Sequence, residues 1–336
     1  MHTQQQITQI INEALQQIQT NPNVDRLYQP VRYAIANGGK RIRPILMIMA
    51  YNLFRQDIHR IIDNAIAMEV YHNFTLLHDD VMDRAEMRRG KPCVHVKWDE
   101  NTAILSGDTM LALAYRLMTE NTAFFHCEAD HIVLYSAMQQ AVNTFNEATV
   151  GVCEGQQLDM DFETMDDVTE QQYMEMIRLK TSLLLSCSLK IGAQLALAQS
   201  EQAELLYTFG EKTGLAFQLQ DDLLDVYGDP KVFGKNIGGD IVANKKTFML
   251  IKTLEIATGD NRQELKKWIA STDFSKDEKI KAVTHIYNVS GTRQICEQKI
   301  NRLFAEGMEA LERIDVSDDK KEPLRQFALR LMNRQS

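Results

Sequence analysis

Leu76-Leu77-His78-Asp79-Asp80-Val81-Met82-Asp83 and Gln220-Asp221-Asp222-Leu223-Leu224-Asp225 carry one pattern twice, Asp-Asp-x-x-Asp, each time inside an apolar stretch of helical character. At about 3.6 residues per turn, positions i and i+4 lie one above the other. Asp79 and Asp83 therefore share a face with Asp80 beside them, and Asp221, Asp222 and Asp225 repeat the arrangement. Three like charges at the inner edge of a packed helix must be neutralised. Oxygen-only ligands suit a hard divalent cation, and Mg²⁺ is usually held by a few carboxylates together with substrate phosphates. One such triplet reads equally well as a solvated face or a helix cap. Two of them embedded in apolar helix do not, because unpaired buried carboxylates are costly. The pattern reads as two facing acidic clusters that hold a diphosphate through bridging Mg²⁺.

The helical reading extends over the whole chain. Residues 4–19 place Ile7, Ile10, Ile11, Leu15 and Ile18 on one face, and Pro22 and Pro30 punctuate the link to the next helix. A long helix over 58–83 carries the first triplet, and further long helices are read over 129–161 and 170–198. No proline interrupts Cys93–Asp229, and 241–333 continues as amphipathic helices with breaks near Gly259-Asp260, Ser271–Asp273 and Ser290-Gly291. There is no strand alternation and no linker. The reading is all-α, residues 1–336 forming a single domain. With 44% hydrophobic residues the chain can bury a large core, and a net charge of −9 speaks against nucleic-acid binding. Five scattered cysteines without ligand spacing suit reduced thiols in the cytoplasm. No signal peptide is visible, and no apolar run reaches the roughly 18 residues of a membrane span.

Cations flank the acids. In Gly38-Gly39-Lys40-Arg41-Ile42-Arg43-Pro44 two glycines free the backbone, and Pro44 suits a first helical turn. Lys40 and Arg43 beside free helix N–H groups would bind an anion. His72 lies two turns before Asp79, able to donate to a phosphate, and Arg88 and Arg89 follow the triplet in a turn-like segment, available for bidentate phosphate contacts or for ion pairs with nearby acids. Lys180-Thr181 falls mid-helix among apolar residues, where a lysine needs a partner. Gln218 shares a face with Asp221, Lys235 stands beside the second triplet, and Lys245-Lys246-Thr247 reads as part of a following helix.

At Gly38–Pro44, His72 through Asp83, Arg88–Pro92, Gly107-Asp108, Gly155-Gln156, Lys180-Thr181, Phe217 through Asp225, Gly234-Lys235 and Gly239-Asp240 the sequence resembles the trans-isoprenyl diphosphate synthases, or polyprenyl synthetases, of the farnesyl and geranylgeranyl kind. The pieces follow the family's order, and together they are highly specific. The resemblance implies a helical bundle around a deep central cavity, as a homodimer. Asp79, Asp80, Asp83, Asp221, Asp222 and Asp225 would bind Mg²⁺, three ions per site. Arg88, Lys180 and Lys235 would contact the allylic diphosphate, and Lys40, Arg43, His72 and Arg89 isopentenyl diphosphate. Thr181 and Gln218 would line the reacting carbons, with Lys245 a further match. In the family a bulky residue five positions before the first Asp tends to set the cavity floor. Here it is Phe74, with Thr75 and Tyr71 beside it on the same helix, which implies a C15–C20 product; a longer-chain synthase is the alternative. A metal phosphohydrolase built on His78-Asp79 and His72 leaves the second triplet and Gly38–Pro44 unexplained. A class I terpene cyclase needs no second diphosphate site, and a regulatory subunit would not keep both triplets intact.

Overall fold

The computed structural model describes residues 2–126, 130–229 and 237–332. It is helical almost throughout: α1 (Gln4–Gln16), α2 (Asp25–Ala36), α3 (Ile42–Phe54), α4 (Ile62–Met82), the short α5 (Val94–Lys97), α6 (Glu100–Thr119), α7 (His131–Thr164), α8 (Glu170–Ile177), α9 (Leu183–Leu195), α10 (Ser200–Tyr227), α11 (Gly239–Val242), α12 (Phe248–Ile256), α13 (Gly259–Ala270), α14 (Lys276–Val289), α15 (Thr292–Glu312) and α16 (Asp318–Met332). The all-α expectation holds. One hairpin, β1 (Met87–Arg88) with β2 (Lys91–Pro92), departs from it. By contacts the chain divides into two compact units: Met1–Phe145 with Cys187–Glu204 and Asp315–Leu324, and Asn146–Ser186 with Leu205–Ile314 and Arg325–Ser336.

In the first unit α4 is the central helix. Every residue from Asn64 to Tyr71 is buried, so the helix is covered all round rather than along one stripe. It packs on α1, α2, α3, α5 and α6. It meets α6 closely at Gly107, where a Cβ would come within 2.1 Å of the His78 ring. A buried ion pair, Arg41 to Glu69 at 2.7 Å, ties α4 to the loop before α3. Arg41 also donates to Asn12 Oδ1 and to the Ile35 carbonyl, so one side chain joins α1, α2, α3 and α4.

The second unit packs α8, α10, α12, α14 and α15 around one apolar cluster. Along α10, Leu215, Leu219, Leu223 and Val226 fall at three- and four-residue intervals and are buried in that cluster. Gln218, Asp221, Asp222 and Asp225 consequently fall on another face of the same helix.

Four local expectations are corrected. Pro30 lies inside α2 and does not end it; the missing N–H costs one hydrogen bond that the packed helix tolerates. The first turn of the 58–83 helix is 3₁₀, Ile58–Ile61. The 170–198 helix is broken by a π segment, Arg178–Ser182, between α8 and α9. Lys245–Thr247 connect α11 to α12 and belong to neither.

Candidate active site

In the first unit the acidic triplet occupies the last turn of α4. Asp79 and Asp80 are within it, Asp83 is its C-cap, and no basic residue of that turn offsets them. The helix dipole places partial negative charge at a C-terminus, so three carboxylates there are doubly unfavourable without a cation. One cation that offsets them is Arg88. Its Nε donates to Asp80 Oδ1 and Oδ2 at 2.7 and 2.9 Å, its Nη2 lies 2.6 Å from Asp80 Oδ1, and Asp79 Oδ2 is 3.9 Å away. Asp80 is 5% exposed, so the pair is largely desolvated on the acid's side.

Hairpin geometry sends the next arginine elsewhere. Arg89 and Gly90, both at positive φ (53° and 74°), form the two-residue turn between β1 and β2. Positive φ at both central positions is the mark of a type I′ turn. Arg88 thus reaches the carboxylates, while Arg89 donates to the Gly38 carbonyl. Gly39, at φ 135°, leaves room for that guanidinium, since a Cβ would lie 2.8 Å from its Nη1. Arg43 has its Nε sealed from solvent without a hydrogen-bond partner among the described residues. Burial pushes its pKa down to about 10, and repulsion from Arg89 adds to this against the pull of Glu69. His72 is held well below the usual imidazole range, first by burial, then by the charges of Arg43, Arg89, Arg88 and Arg41. A neutral imidazole among crowded guanidiniums is an anion site by its electrostatics. Lys40 is exposed on the same loop.

The second triplet repeats the arrangement at the end of α10, whose last turn also lacks a basic residue. A pocket of about 180 Å³ there is lined by Asp221, Asp222 and Asp225, and also by Lys180, Thr181 and Gln218. Lys180 Nζ sits 2.6 Å from Asp159 Oδ2, the partner that a lysine among apolar residues requires. Thr181 Oγ1 donates to Gln218 Oε1 at 3.2 Å, Gln218 Nε2 donates to Asp222 Oδ1 at 3.2 Å, and Tyr173 Oη donates to Asp222 Oδ2. Burial raises the Asp222 pKa to about 7; the Tyr173 hydrogen bond opposes this and the charge of Asp240 adds to it. Asp225 Oδ2 accepts from the Asp240 amide at 3.0 Å. Lys235 lies outside the described residues.

Lys180 and Thr181 reach this pocket because of the π segment. Two glycines pinch it: a Cβ on Gly155 of α7 would meet Lys180 N at 2.5 Å, and one on Gly214 of α10 would meet Ser182 Oγ at 2.6 Å. A π-bulge adds one residue to a turn and redirects the side chains it carries.

Both triplets offer only oxygen donors at the negative end of a helix, which fits a hard cation such as Mg²⁺. Among the described residues, no three acidic, histidine or cysteine side chains are gathered closely enough to hold an ion alone. That suits an ion completed by water and phosphate oxygens.

The polyprenyl synthetase family profile matches residues 24–287. The chain belongs to the polyprenyl synthetase family. It is 39% identical over 245 residues to the geranylgeranyl diphosphate synthase of Methanosarcina mazei, covering 73% of this chain and 72% of that protein. It is also 39% identical over 266 residues to the short chain isoprenyl diphosphate synthase of Methanocaldococcus jannaschii, covering 79% and 77%. A crystal structure of a geranylgeranyl pyrophosphate synthase superposes with a TM-score of 0.90 at 41% identity over 100% of both chains. For this polyprenyl synthetase the phosphohydrolase alternative falls away. His78 Nε2 lies 3.1 Å from the Ile104 carbonyl, and the ring packs against Gly107.

Asp159 and Tyr173 were given no role by sequence, and Asp240 entered only as part of the Gly239-Asp240 match. Tyr173 lies seven residues before Lys180, two turns along the same helical run, and that spacing is the one signal in the sequence that could have found it.

Proposed function

We propose that this chain is a Mg²⁺-dependent trans-prenyltransferase that joins isopentenyl diphosphate to an allylic diphosphate, giving a C15–C20 trans-prenyl diphosphate and pyrophosphate. The observation that carries the reading is the pair of carboxylate triplets, each within the last two turns of a helix, at the end where the dipole is negative, in a member of this family. The relatives named as geranylgeranyl and short-chain synthases support the product class.

In this reading Asp79, Asp80, Asp83, Asp221, Asp222 and Asp225 hold three Mg²⁺ ions. The chemistry the metal supplies is neutralisation of the departing pyrophosphate. Lys180, Arg88 and Lys235 donate to the allylic diphosphate, Lys180 exchanging Asp159 for a phosphate oxygen. Lys40, Arg43, His72 and Arg89 hold the diphosphate of isopentenyl diphosphate, and Arg43 Nε gains the acceptor it lacks. The allylic C–O bond breaks, the double bond of isopentenyl diphosphate attacks the resulting cation, and a proton leaves to pyrophosphate. Fixed donors aimed at the leaving group lower the barrier without reorganising. The amide of Gln218, oriented by Asp222, and the hydroxyl of Thr181 line the reacting carbons. No nucleophilic side chain is needed.

Phe74 sets the length of the product. Its ring is 8% exposed and is fixed against Tyr71 at 5.5 Å and His78 at 4.8 Å, while Tyr71 in turn packs on Phe145. Thr75 Oγ1 donates to the His72 carbonyl and presents little bulk beside it. Residues 1–336 work as one prenyltransferase domain, and two copies form a homodimer in the cytoplasm. Supporting the dimer, α6 exposes Ile104 and Leu105, and α7 exposes Ile132, Val133 and Tyr135. Apolar side chains gathered on a surface mark association sites. No helix among the described residues is long and apolar enough to cross a membrane.

The test is to incubate the pure protein with labelled isopentenyl diphosphate, each allylic primer and Mg²⁺, and to measure product lengths. C15–C20 products with release of pyrophosphate are expected. Absence of condensation overturns the reading, and C25 or longer products overturn its short-chain part.

A further inference from the structure

The turn Gly238–Thr247, made of the short α11 and its connection to α12, carries two residues of the second pocket, Asp240 and Lys245. It is tightly wound. The Lys245 amide donates to the Asp240 carbonyl at 2.9 Å and the Asn244 amide to Ile241 at 3.2 Å, with Asn244 in the left-handed region at φ 53°. On one side the turn is fastened to α10: the Gly238 amide donates to the Asp225 carbonyl at 2.6 Å, and the Asp240 amide donates to Asp225 Oδ2. The direction in which the Asp225 carboxylate points therefore depends on where the turn sits.

On the other side it is gripped by two consecutive residues of α14. Ile280 packs on Gly238, where a Cβ would come within 2.6 Å of Ile280 Cγ1. Lys279 is 1% exposed, and its Nζ donates to Asn244 Oδ1 at 2.7 Å and to the Val242 carbonyl at 3.3 Å. The ammonium also lies 4.2 Å from the centre of the Phe274 ring. No carboxylate pairs with Lys279 among the described residues. A buried ammonium held only by neutral groups is expensive to keep, and an apolar side chain of the same length would fill the space without that cost. Its three donors are what an apolar residue could not supply. They fix Asn244 in a conformation that non-glycine residues rarely adopt and cap the last carbonyl of α11. Asn244 Nδ2 is fastened independently to the Ile269 carbonyl at 3.0 Å.

We infer that Lys279 is a positioning residue for the second acidic cluster, holding the Gly238–Thr247 turn so that Asp240 and Lys245 face the pocket and Asp225 is aimed at a Mg²⁺-bound diphosphate. The inference rests on the reading of Asp221, Asp222 and Asp225 as ligands of that group. Lys279 touches no substrate; it acts through Asn244 and the turn.

The test compares full-length wild type, Lys279→Met, Asn244→Ala and Asn244→Asp. Calorimetry measures inorganic pyrophosphate binding in a Mg²⁺ titration, and the Mg²⁺ concentration for half-maximal turnover is measured alongside. Supporting partners of a metal site typically change affinity on the order of tenfold or more. Lys279→Met and Asn244→Ala should each raise the Mg²⁺ requirement and weaken pyrophosphate binding by about that factor. Asn244→Asp, which keeps an acceptor for the ammonium but loses the Nδ2 donation to the Ile269 carbonyl, should fall between wild type and Asn244→Ala on both readouts. The KM for isopentenyl diphosphate should not change. A Lys279→Met protein with a lower thermal midpoint but unaltered Mg²⁺ dependence and pyrophosphate affinity overturns the inference. If Lys279→Met does not fold, Asn244→Ala decides on the same readouts. Failure of wild type itself to bind pyrophosphate with Mg²⁺ would instead sink the ligand reading beneath the inference.

Discussion

Gly155→Ala is the sharpest test of how Lys180 and Thr181 come to face the pocket. The added methyl would sit 2.5 Å from Lys180 N, 2.8 Å from Leu179 Cβ and 2.9 Å from the Leu179 carbonyl carbon. Carbon contacts settle at about 3.5–4.0 Å, so α7 and the π segment must separate by roughly 1 Å. The obstructing atoms are mainly backbone, and no side chain can swing aside to absorb the change. Overpacking of this kind costs about 1–3 kcal/mol. Better helix propensity of alanine returns up to about 1 kcal/mol, which leaves a net loss of roughly 0–2 kcal/mol and a folded protein. Activity should suffer far more, because a misplacement of about 1 Å in a positioning element can cost on the order of 10² in rate. The displaced turn would carry Lys180 from its 2.6 Å contact with Asp159 and Thr181 from Gln218. Gly151→Ala on the same helix is the control. Its methyl would meet the tips of Leu183 and Leu179, which can rotate, so near-normal turnover is expected. Steady-state kcat and the thermal midpoint, measured on both variants, decide the matter. A Gly155→Ala enzyme within about twofold of wild-type kcat would refute the reasoning; the scale for comparison is the 10² above.

Phe74→Ala should lengthen the product by about one isoprene unit, since one helical turn rises about 5.4 Å; unchanged chain lengths by chromatography would remove Phe74 as the floor. The His72 imidazole has a depressed pKa, so the unfolded chain takes up a proton near pH 6.5 that the folded protein refuses. Stability is thus fully present above that pH and is lost as pH falls below it, with a limiting slope of about 1.4 kcal/mol per pH unit. His72→Gln should flatten the dependence of thermal midpoint on pH between about 7 and 5.5, and equal slopes in both proteins would contradict the assignment. Leu105→Glu with Ile132→Glu should convert the dimer to monomer by light scattering; a wild-type protein already monomeric at micromolar concentration would end the dimer reading.

Sequence made the helices legible wherever one face had to be buried. Ile7, Ile11 and Leu15 of α1 and Leu215, Leu219 and Leu223 of α10 follow the period and are all buried. The two acidic turns were legible for the same reason, since carboxylates inside an apolar helix have no structural explanation. What periodicity could not show is which distant element a side chain meets. Lys180 needed a partner, and nothing near it in sequence identified Asp159, which lies 21 positions away. The π segment left no mark because its cause is close packing against Gly155 and Gly214. The split of Arg88 and Arg89 between the carboxylates and the Gly38 loop follows from a type I′ turn that Arg89-Gly90 does not announce. Lys245 looked helical because propensity favours it there. The Asn244 turn, held from α14, overrides that preference.

The most direct test is the Mg²⁺-dependent rate at which labelled isopentenyl diphosphate enters prenyl products, measured side by side for wild type, Asp80→Ala and Asp222→Ala. The account predicts a strict Mg²⁺ requirement in wild type and a loss on the order of 10³ or more in each variant, with helical content by circular dichroism retained. Near-normal turnover in either variant would contradict the assignment of the two acidic turns to metal and diphosphate.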